Sequence, residues 1–303
     1  MKIINNKYSG GIKMKFKRVL GIIMVFMVVT FAFTACARPT DDNQNGAAPG
    51  EQEQNISVNG STSVQPLAEE LAKAFKVKNP NITIDIQGGG SGVGIKSAND
   101  GVVDIGMSSR DLKTEEKNLK EFKIAIDGIA VIVNPANGVT NLTMEQIQKI
   151  YIGEITDWSQ VGGKAGKITI VTREEGSGTR GAFIELTGVE MKDGDKKVDK
   201  TAATAITQGS TGAVMTTVAS DPNAIGYASY GTVKENTGIK LLSVEGVVTT
   251  AENIYAGSYK ISRPFLMLTK EEPTGAVKEF IDFILGAEGQ EIVESHSYLK
   301  VNK

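Results

Sequence analysis

An α/β fold with largely parallel sheets is predicted by two observations. Short β-rich runs alternate with apolar patterns at helical spacing from Ile56 to the C-terminus, and the turns between them are rich in Gly, Ser and Thr. A length of 303 residues corresponds to about two domains.

Each element follows from its local pattern. Ile56-Ser57-Val58 is a strand leading into Gly60-Ser61-Thr62-Ser63. From Val64 to Lys76, residues Leu67, Leu71, Ala74 and Phe75 recur at helical spacing. Ile82 to Ile86 alternates like a strand, and Gly88 to Gly92 opens a short helix. Val102 to Gly106 reads as a buried strand ending at Ser108-Ser109, and Ile124 to Asn134 as another apolar run. Leu142 to Tyr151 is a helix capped near Thr143, with Glu145 in its first turn. Strand Lys167–Val171 precedes helix Arg180–Leu186, and Met191 to Lys200 reads as a charged loop. Gln208-Gly209-Ser210-Thr211 opens a helix through Val218, and Ala224 to Tyr227 is a buried strand. Tyr259 to Thr269 is extended, and Thr274–Leu285 and Gly289–Ser295 are C-terminal helices. Trp158, Tyr227, Phe280 and Phe283 are expected in the core.

The N-terminus reads as a targeting segment. Lys13, Lys15, Lys17 and Arg18 precede an uncharged run, Val19 to Phe33, of signal-peptide length. Met14 would start a more compact version. The segment ends in Phe33-Thr34-Ala35-Cys36, and Cys36 is the single cysteine. This resembles a bacterial lipobox, which implies cleavage before Cys36 and a lipid on its sulfur. The alternative is a plain secretory peptide with an incidental Cys. Residues 1–35 are therefore set aside as a signal peptide, and residues 36–55 read as a polar, flexible tether. With Cys36 so used, no disulfide is expected, and stability must come from a sizeable core.

Charge excludes some functions. The 33 basic and 35 acidic residues leave a net charge of −2, so no basic excess points to nucleic acid. Arginine is sparse: beyond Arg38 there are only Arg110, Arg173, Arg180 and Arg263. Arg173 precedes Glu174-Glu175-Gly176-Ser177-Gly178-Thr179, a turn that opens a helix. Free amides, hydroxyls and the positive end of a helix dipole make such a turn an anion site, and a guanidinium fork suits a tetrahedral oxyanion. Gly60–Ser63, Gly88–Gly92 and Met107–Arg110 are turns of similar composition. Each alone is a capped turn. Together they point to one small anion held at the carboxyl ends of the strands.

Other chemistries fit less well. Gly176-x-Gly178-x-x-Gly181 matches a dinucleotide fingerprint, but Arg173-Glu174-Glu175 separates its glycines from the strand. Ile95 splits the Gly-Lys-Ser that a Walker A loop needs. His296 is the only histidine, expected to be exposed and inert, so a His-assisted nucleophile or His-rich metal centre lacks parts.

The motifs Gly60-Ser61-Thr62-Ser63-Val64-Gln65-Pro66-Leu67, Asp104-Ile105-Gly106-Met107-Ser108-Ser109-Arg110 and Arg173-x-x-Gly176-Ser177-Gly178-Thr179 resemble those of phosphate-binding proteins of bacterial ABC transporters. So do Leu142-Thr143-x-Glu145-Gln146, Ile155-Thr156-Asp157-Trp158, Ala224-Ile225-Gly226-Tyr227, Ile261-Ser262-Arg263-Pro264 and Phe280 to Leu285. The resemblance implies a two-lobed periplasmic-binding-protein fold of type II, with a ligand cleft between lobes that close about a hinge. Residues 56–133 and 260–303 would form lobe 1 and residues 134–259 lobe 2. It implies a monomeric lipoprotein, not an enzyme, that captures inorganic phosphate outside the cytoplasm for a permease and ATPase complex, with no cofactor or metal. Carried over by position, the phosphate ligands would be Thr62, Ser63, Ser91, Ser109, Arg173, Ser177, Gly178 and Thr179. Ser109 stands where some members carry an aspartate that accepts the phosphate proton and so excludes sulfate. A hydroxyl there can accept or donate. Arg110 is either a source of charge for the ligand or a supporting residue. Glu175 either orients Arg173 or is solvated, and Arg263 reads as hinge or scaffold. Sulfate or molybdate binding, or a secreted phosphatase, are the alternatives.

Overall fold

The computed structural model describes residues 53–301 apart from Asp195. The expected signal peptide, Cys36 and the tether up to residue 52 lie outside the described residues. The tether's last residues do not: the first strand already begins at Gln54.

In chain order the strands are β1 (Gln54–Gly60), β2 (Ile82–Gly88), β3 (Ile105–Ser108), β4 (Lys120–Val133), β5 (Asn141–Leu142), β6 (Thr169–Arg173), β7 (Glu190–Asp193), β8 (Lys196–Asp199), β9 (Ile206–Gln208), β10 (Ala224–Ser229), β11 (Lys240–Leu241), β12 (Ser243–Val244) and β13 (Ser262–Thr269). The helices are α1 (Gln65–Lys78), α2 (Ser91–Asp100), α3 (Met144–Tyr151), α4 (Gly178–Leu186), α5 (Thr211–Ser220), α6 (Tyr230–Val233), α7 (Ala251–Tyr255), α8 (Gly275–Leu285) and α9 (Ala287–Ser295).

The main sheet runs in the order β2-β1-β3-β13-β4-β10-β6-β9. β1 is parallel to β2 and β3, and β6 is parallel to β10 and β9. The two parallel blocks are joined by antiparallel β13 and β4, so the sheet is mixed. β4 belongs to both halves. Its Lys120–Gly128 stretch pairs with β13, and Ile129–Val133 pairs with β10. We divide the lobes there: the chain crosses at Gly128-Ile129 and returns at Ile261-Ser262. The two crossings touch, because Ile129 N–H donates to the Ile261 carbonyl at 2.7 Å.

Each lobe has its own apolar core. In lobe 1 the Leu67, Leu71 and Phe75 stripe of α1 packs under β1 and β3, and Phe75 meets Phe280 and Phe283 of α8 at ring separations of 5.2 and 5.4 Å. In lobe 2 Trp158, Tyr151, Phe183 and Tyr227 pack together, with Phe183 stacked on Tyr227 at 4.0 Å. α3 begins as expected: Thr143 Oγ1 accepts from Gln146 N–H while the Gln146 side chain accepts from Thr143 N–H, so two end amides are satisfied.

Close glycine contacts bring α2 onto β3. A Cβ on Gly106 would lie 2.3 Å from the Gly94 carbonyl oxygen, so only two hydrogens fit between these backbones. That approach carries Ser91, at the start of α2, to Ser109, just past β3.

Three local expectations are corrected. Met191 to Lys200, read as a charged loop, instead falls largely within the β7–β8 hairpin, in register Glu190↔Asp199. Its strands are short and polar, so they lack apolar alternation, and Lys197 is held instead by Glu185 and Glu190. Val102 is 72% exposed and β3 starts only at Ile105, because Gly101 ends α2 with φ 71° and Val102–Asp104 form the turn. His296 is half-buried rather than exposed and ends α9, where its N–H donates to the Ile292 carbonyl.

Candidate functional site

Four helices of the two lobes start at one place in the cleft. α1 and α2 of lobe 1 begin beside Thr62-Ser63 and at Ser91, and α4 and α5 of lobe 2 begin at Gly178 and Thr211. The first amides of a helix have no intrahelical carbonyl to bond, so each start presents donors. Ser177 caps α4 by accepting from Arg180 N–H, and Ser210 caps α5 by accepting from Ala213 N–H. The hydroxyls between them form a continuous buried network. Ser63 Oγ bonds Thr179 Oγ1 at 2.8 Å and Thr211 Oγ1 at 2.9 Å, and Ser61 Oγ donates to Ser109 Oγ at 2.9 Å. Ser109 Oγ also lies 3.4 Å from Ser91 Oγ and from Thr179 Oγ1. Gly178 sits against them: a Cβ there would be 2.2 Å from Ser91 Oγ.

Two buried arginines close the network. Arg173 is the last residue of β6, and its backbone is fixed because Arg173 N–H donates to the Tyr227 hydroxyl at 3.2 Å. Its guanidinium donates to Thr211 Oγ1 at 3.2 Å and Thr62 Oγ1 at 3.1 Å, and takes Glu174 as a two-pronged partner at 2.8 Å. Arg263, on β13 beside the crossing, donates to Thr179 Oγ1 at 2.9 Å, the Ser109 carbonyl at 2.9 Å and Asp127 Oδ2 at 2.8 Å. Asp127 is its register partner on β4 and also accepts from Gly231 N–H at 3.2 Å. Burial pushes the Asp127 carboxyl up to about 6 against the pull of Arg263, and burial likewise lowers Arg263. A cavity of about 590 Å³ between the Arg110–Lys117 segment and α4 has Arg263 in its wall.

Every described arginine is paired with a carboxylate: Arg110 with Glu116, Arg173 with Glu174, Arg180 with Asp199 and Arg263 with Asp127. The arginine pairs at the network are thus neutral before any anion arrives. What they leave is a dense set of hydroxyl and amide dipoles inside low-dielectric surroundings, suited to a small, fully desolvated anion.

Sequence reading placed Thr62, Ser63, Ser91, Ser109, Arg173, Ser177, Gly178 and Thr179 here, and the fold brings them together, with Ser177 Oγ engaged as a cap. Arg110 does not join them. Its guanidinium forms a two-pronged pair with Glu116 at 2.7 and 2.8 Å. Glu175 is exposed, and it is Glu174 that holds Arg173. Arg263, read as hinge or scaffold, does sit beside the crossing, but it also donates into the network. Sequence reading also missed Ser61, Asp127 and Thr211. Thr211 carried a signal, since Gly209-Ser210-Thr211-Gly212 repeats the composition of the other turns. Among the described residues no group of three or more His, Cys, Asp or Glu could hold a metal ion.

Two α/β lobes on paired crossing strands, with a dipole-rich cleft between them, define a two-lobed solute-binding protein. A family model described as PBP superfamily domain matches residues 45–288. The phosphate-binding protein PstS of Bacillus subtilis is 33% identical over 298 residues, covering 95% of each chain. A phosphate ABC transporter substrate-binding protein of Clostridium perfringens, solved with bound phosphate, is 45% identical with a TM-score of 0.78, covering 82% of this chain and 100% of that one. An ABC-type phosphate transport receptor of Vibrio cholerae is 38% identical with a TM-score of 0.67 over the same shares. The chain belongs to the PBP superfamily and, within it, to the substrate-binding proteins of phosphate ABC transporters.

Proposed function

We propose that this protein captures inorganic phosphate outside the cytoplasm and delivers it to an ABC importer. The observation that carries this reading is the buried network itself: hydroxyls of both lobes, the starts of α1, α2, α4 and α5, and two carboxylate-paired arginines meet at one point. Thr62, Ser63, Ser91, Ser109, Arg173, Gly178 and Thr179 are the proposed ligands, with Ser61, Thr211 and Arg263 added. The protein acts by binding and release rather than catalysis, a reading supported by its relatives, which are binding proteins of a transporter. It works as a monomer held to the membrane by a lipid on Cys36. Replacing Cys36 by Ser should abolish labelling by a palmitate analogue and release the protein to the medium.

Sulfate is the competing ligand, because Ser109 supplies no strict acceptor for a ligand proton. Calorimetric titration with phosphate, sulfate, arsenate and molybdate tests the assignment. Phosphate should bind one-to-one and more tightly than sulfate. Equal or tighter sulfate binding would make the protein a general oxyanion binder.

A further inference from the structure

The network contains no carboxylate in the place where some phosphate-binding proteins have one, yet a carboxylate lies directly behind it. Asp127 is 1% exposed and bonds the same guanidinium that reaches Thr179 and the Ser109 carbonyl. Arg263 therefore has one fixed anion on one side and the ligand site on the other. An incoming anion must share Arg263 with Asp127, and it feels the Asp127 charge across a medium that screens poorly.

We propose that Asp127 is a specificity-determining residue, whose negative charge behind Arg263 disfavours a permanent dianion and favours an anion that can carry a proton. This rests on the phosphate reading above. Sulfate enters as a dianion at every physiological pH. Phosphate can take a proton and bind as the monoanion, escaping much of the repulsion. Discrimination then comes from charge at one remove, and Ser109 need not accept a ligand proton.

The same geometry makes selection depend on pH. Asp127 faces Arg263 from β13, Tyr298 from the C-terminal segment, Tyr259 before β13, and the Ser229 hydroxyl and Gly231 N–H between β10 and α6. Burial pushes both phenols up, Tyr298 to about 12, so among these groups Asp127 alone changes charge between pH 5 and 8. It is ionised above about 6 and neutral below. Loss of its charge on acidification should admit the dianion.

Sulfate is the probe, because it does not titrate in this range. Its affinity for the mature wild-type protein, by direct titration or by competition with phosphate, should rise about tenfold or more from pH 8 to pH 5. Asp127→Asn should bind sulfate at pH 8 as tightly as the wild type does at pH 5, with little change across pH, and should narrow the phosphate-to-sulfate gap. Asn also leaves one of two donors, Arg263 or Gly231, facing an amide NH₂, so this variant is accompanied by thermal unfolding. If it does not fold, the wild-type sulfate profile decides alone. A pH-independent sulfate affinity, sulfate binding undetectable even at pH 5, or weaker sulfate binding by a folded Asp127→Asn overturns the proposal. Normal phosphate binding with flat sulfate binding sinks this inference only, whereas absence of phosphate binding at pH 7 sinks the function itself.

Discussion

Gly178→Ala tests whether the two lobes meet in the ligated state as they meet here. The new methyl carbon would lie 2.2 Å from Ser91 Oγ and 2.8 Å from Ser109 Oγ, whereas ordinary contact begins near 3.4 Å. Ser91 and Ser109 belong to lobe 1 and Gly178 to lobe 2, so the lobes must stand apart by about 1 Å. Three bonds across the cleft would then stretch beyond hydrogen-bonding distance. They are Ser63 Oγ to Thr179 Oγ1 at 2.8 Å, Arg263 Nη2 to Thr179 Oγ1 at 2.9 Å, and Gly92 N–H to the Gly176 carbonyl at 2.9 Å. At about 1 kcal/mol each, their loss costs about 3 kcal/mol of closure, or roughly a hundredfold in phosphate affinity. The free protein should not suffer. Alanine is the better residue within a helix by up to about 1 kcal/mol, and α4 of an open molecule has room for a methyl group. Calorimetry should thus show much weaker phosphate binding, while thermal unfolding without ligand stays level or moves up. Phosphate affinity within about threefold of wild type would show that the Gly178 contact is absent from the ligated state, and the closure argument would fail.

Other changes separate the roles assigned above. Arg110→Met should leave phosphate affinity unchanged in titration, because Arg110 is tied to Glu116, but should lower unfolding stability by about 1 kcal/mol. The Arg110 hydrogen bonds hold the Glu116 carboxyl below the usual range, so their stabilisation is present above the unfolded-state value and lost as pH falls through the folded one. The difference between wild type and Arg110→Met should accordingly shrink on acidification, as read by melts from pH 7 to pH 3. Glu174→Gln leaves the buried Arg173 charge uncompensated, so it should cost about 1–3 kcal/mol of folding stability while strengthening anion binding, whereas Glu175→Gln should be silent in both measurements. Ser109→Ala should weaken phosphate and sulfate alike in competition assays, since Ser109 Oγ already accepts from Ser61 and has its own proton to give. A selective loss of phosphate would instead make Ser109 the acceptor.

The parts of this site that were legible in the sequence are those whose signals are local. A helix start announces itself through neighbours: Ser177 caps α4 three residues on, and Thr143 does the same for α3. Arg173 was legible because its strand, its turn and its helix are consecutive. Arg263 was not, because its meaning comes from Asp127, 136 residues away, and from Thr179, 84 residues away. Extended backbone around Pro264 says nothing about which of these a guanidinium will meet. Of the two readings of Glu175 the solvated one holds, and that Glu174 is the partner has a geometric reason. Both glutamates follow Arg173, and only the folded turn decides which one doubles back onto it. The β7–β8 hairpin was illegible because its strands bury almost nothing, leaving no period of two to read.

Because the crossings touch at Ile129 and Ile261, lobe 2 is a continuous insertion whose ends meet, and lobe 1 is the chain on either side of it. The molecule is thus already arranged as two polypeptide pieces that could be made separately. Lobe 1 needs only a short bridge from Gly128 to Ser262, and residues 129–261 form a single stretch with adjacent termini. Neither piece holds the whole hydroxyl network, since Ser61, Thr62, Ser63, Ser91 and Ser109 lie on one and Thr179 and Thr211 on the other. Reporter halves fused to the two pieces should therefore come together in proportion to free anion, making this architecture a ready scaffold for a sensor that assembles on its analyte.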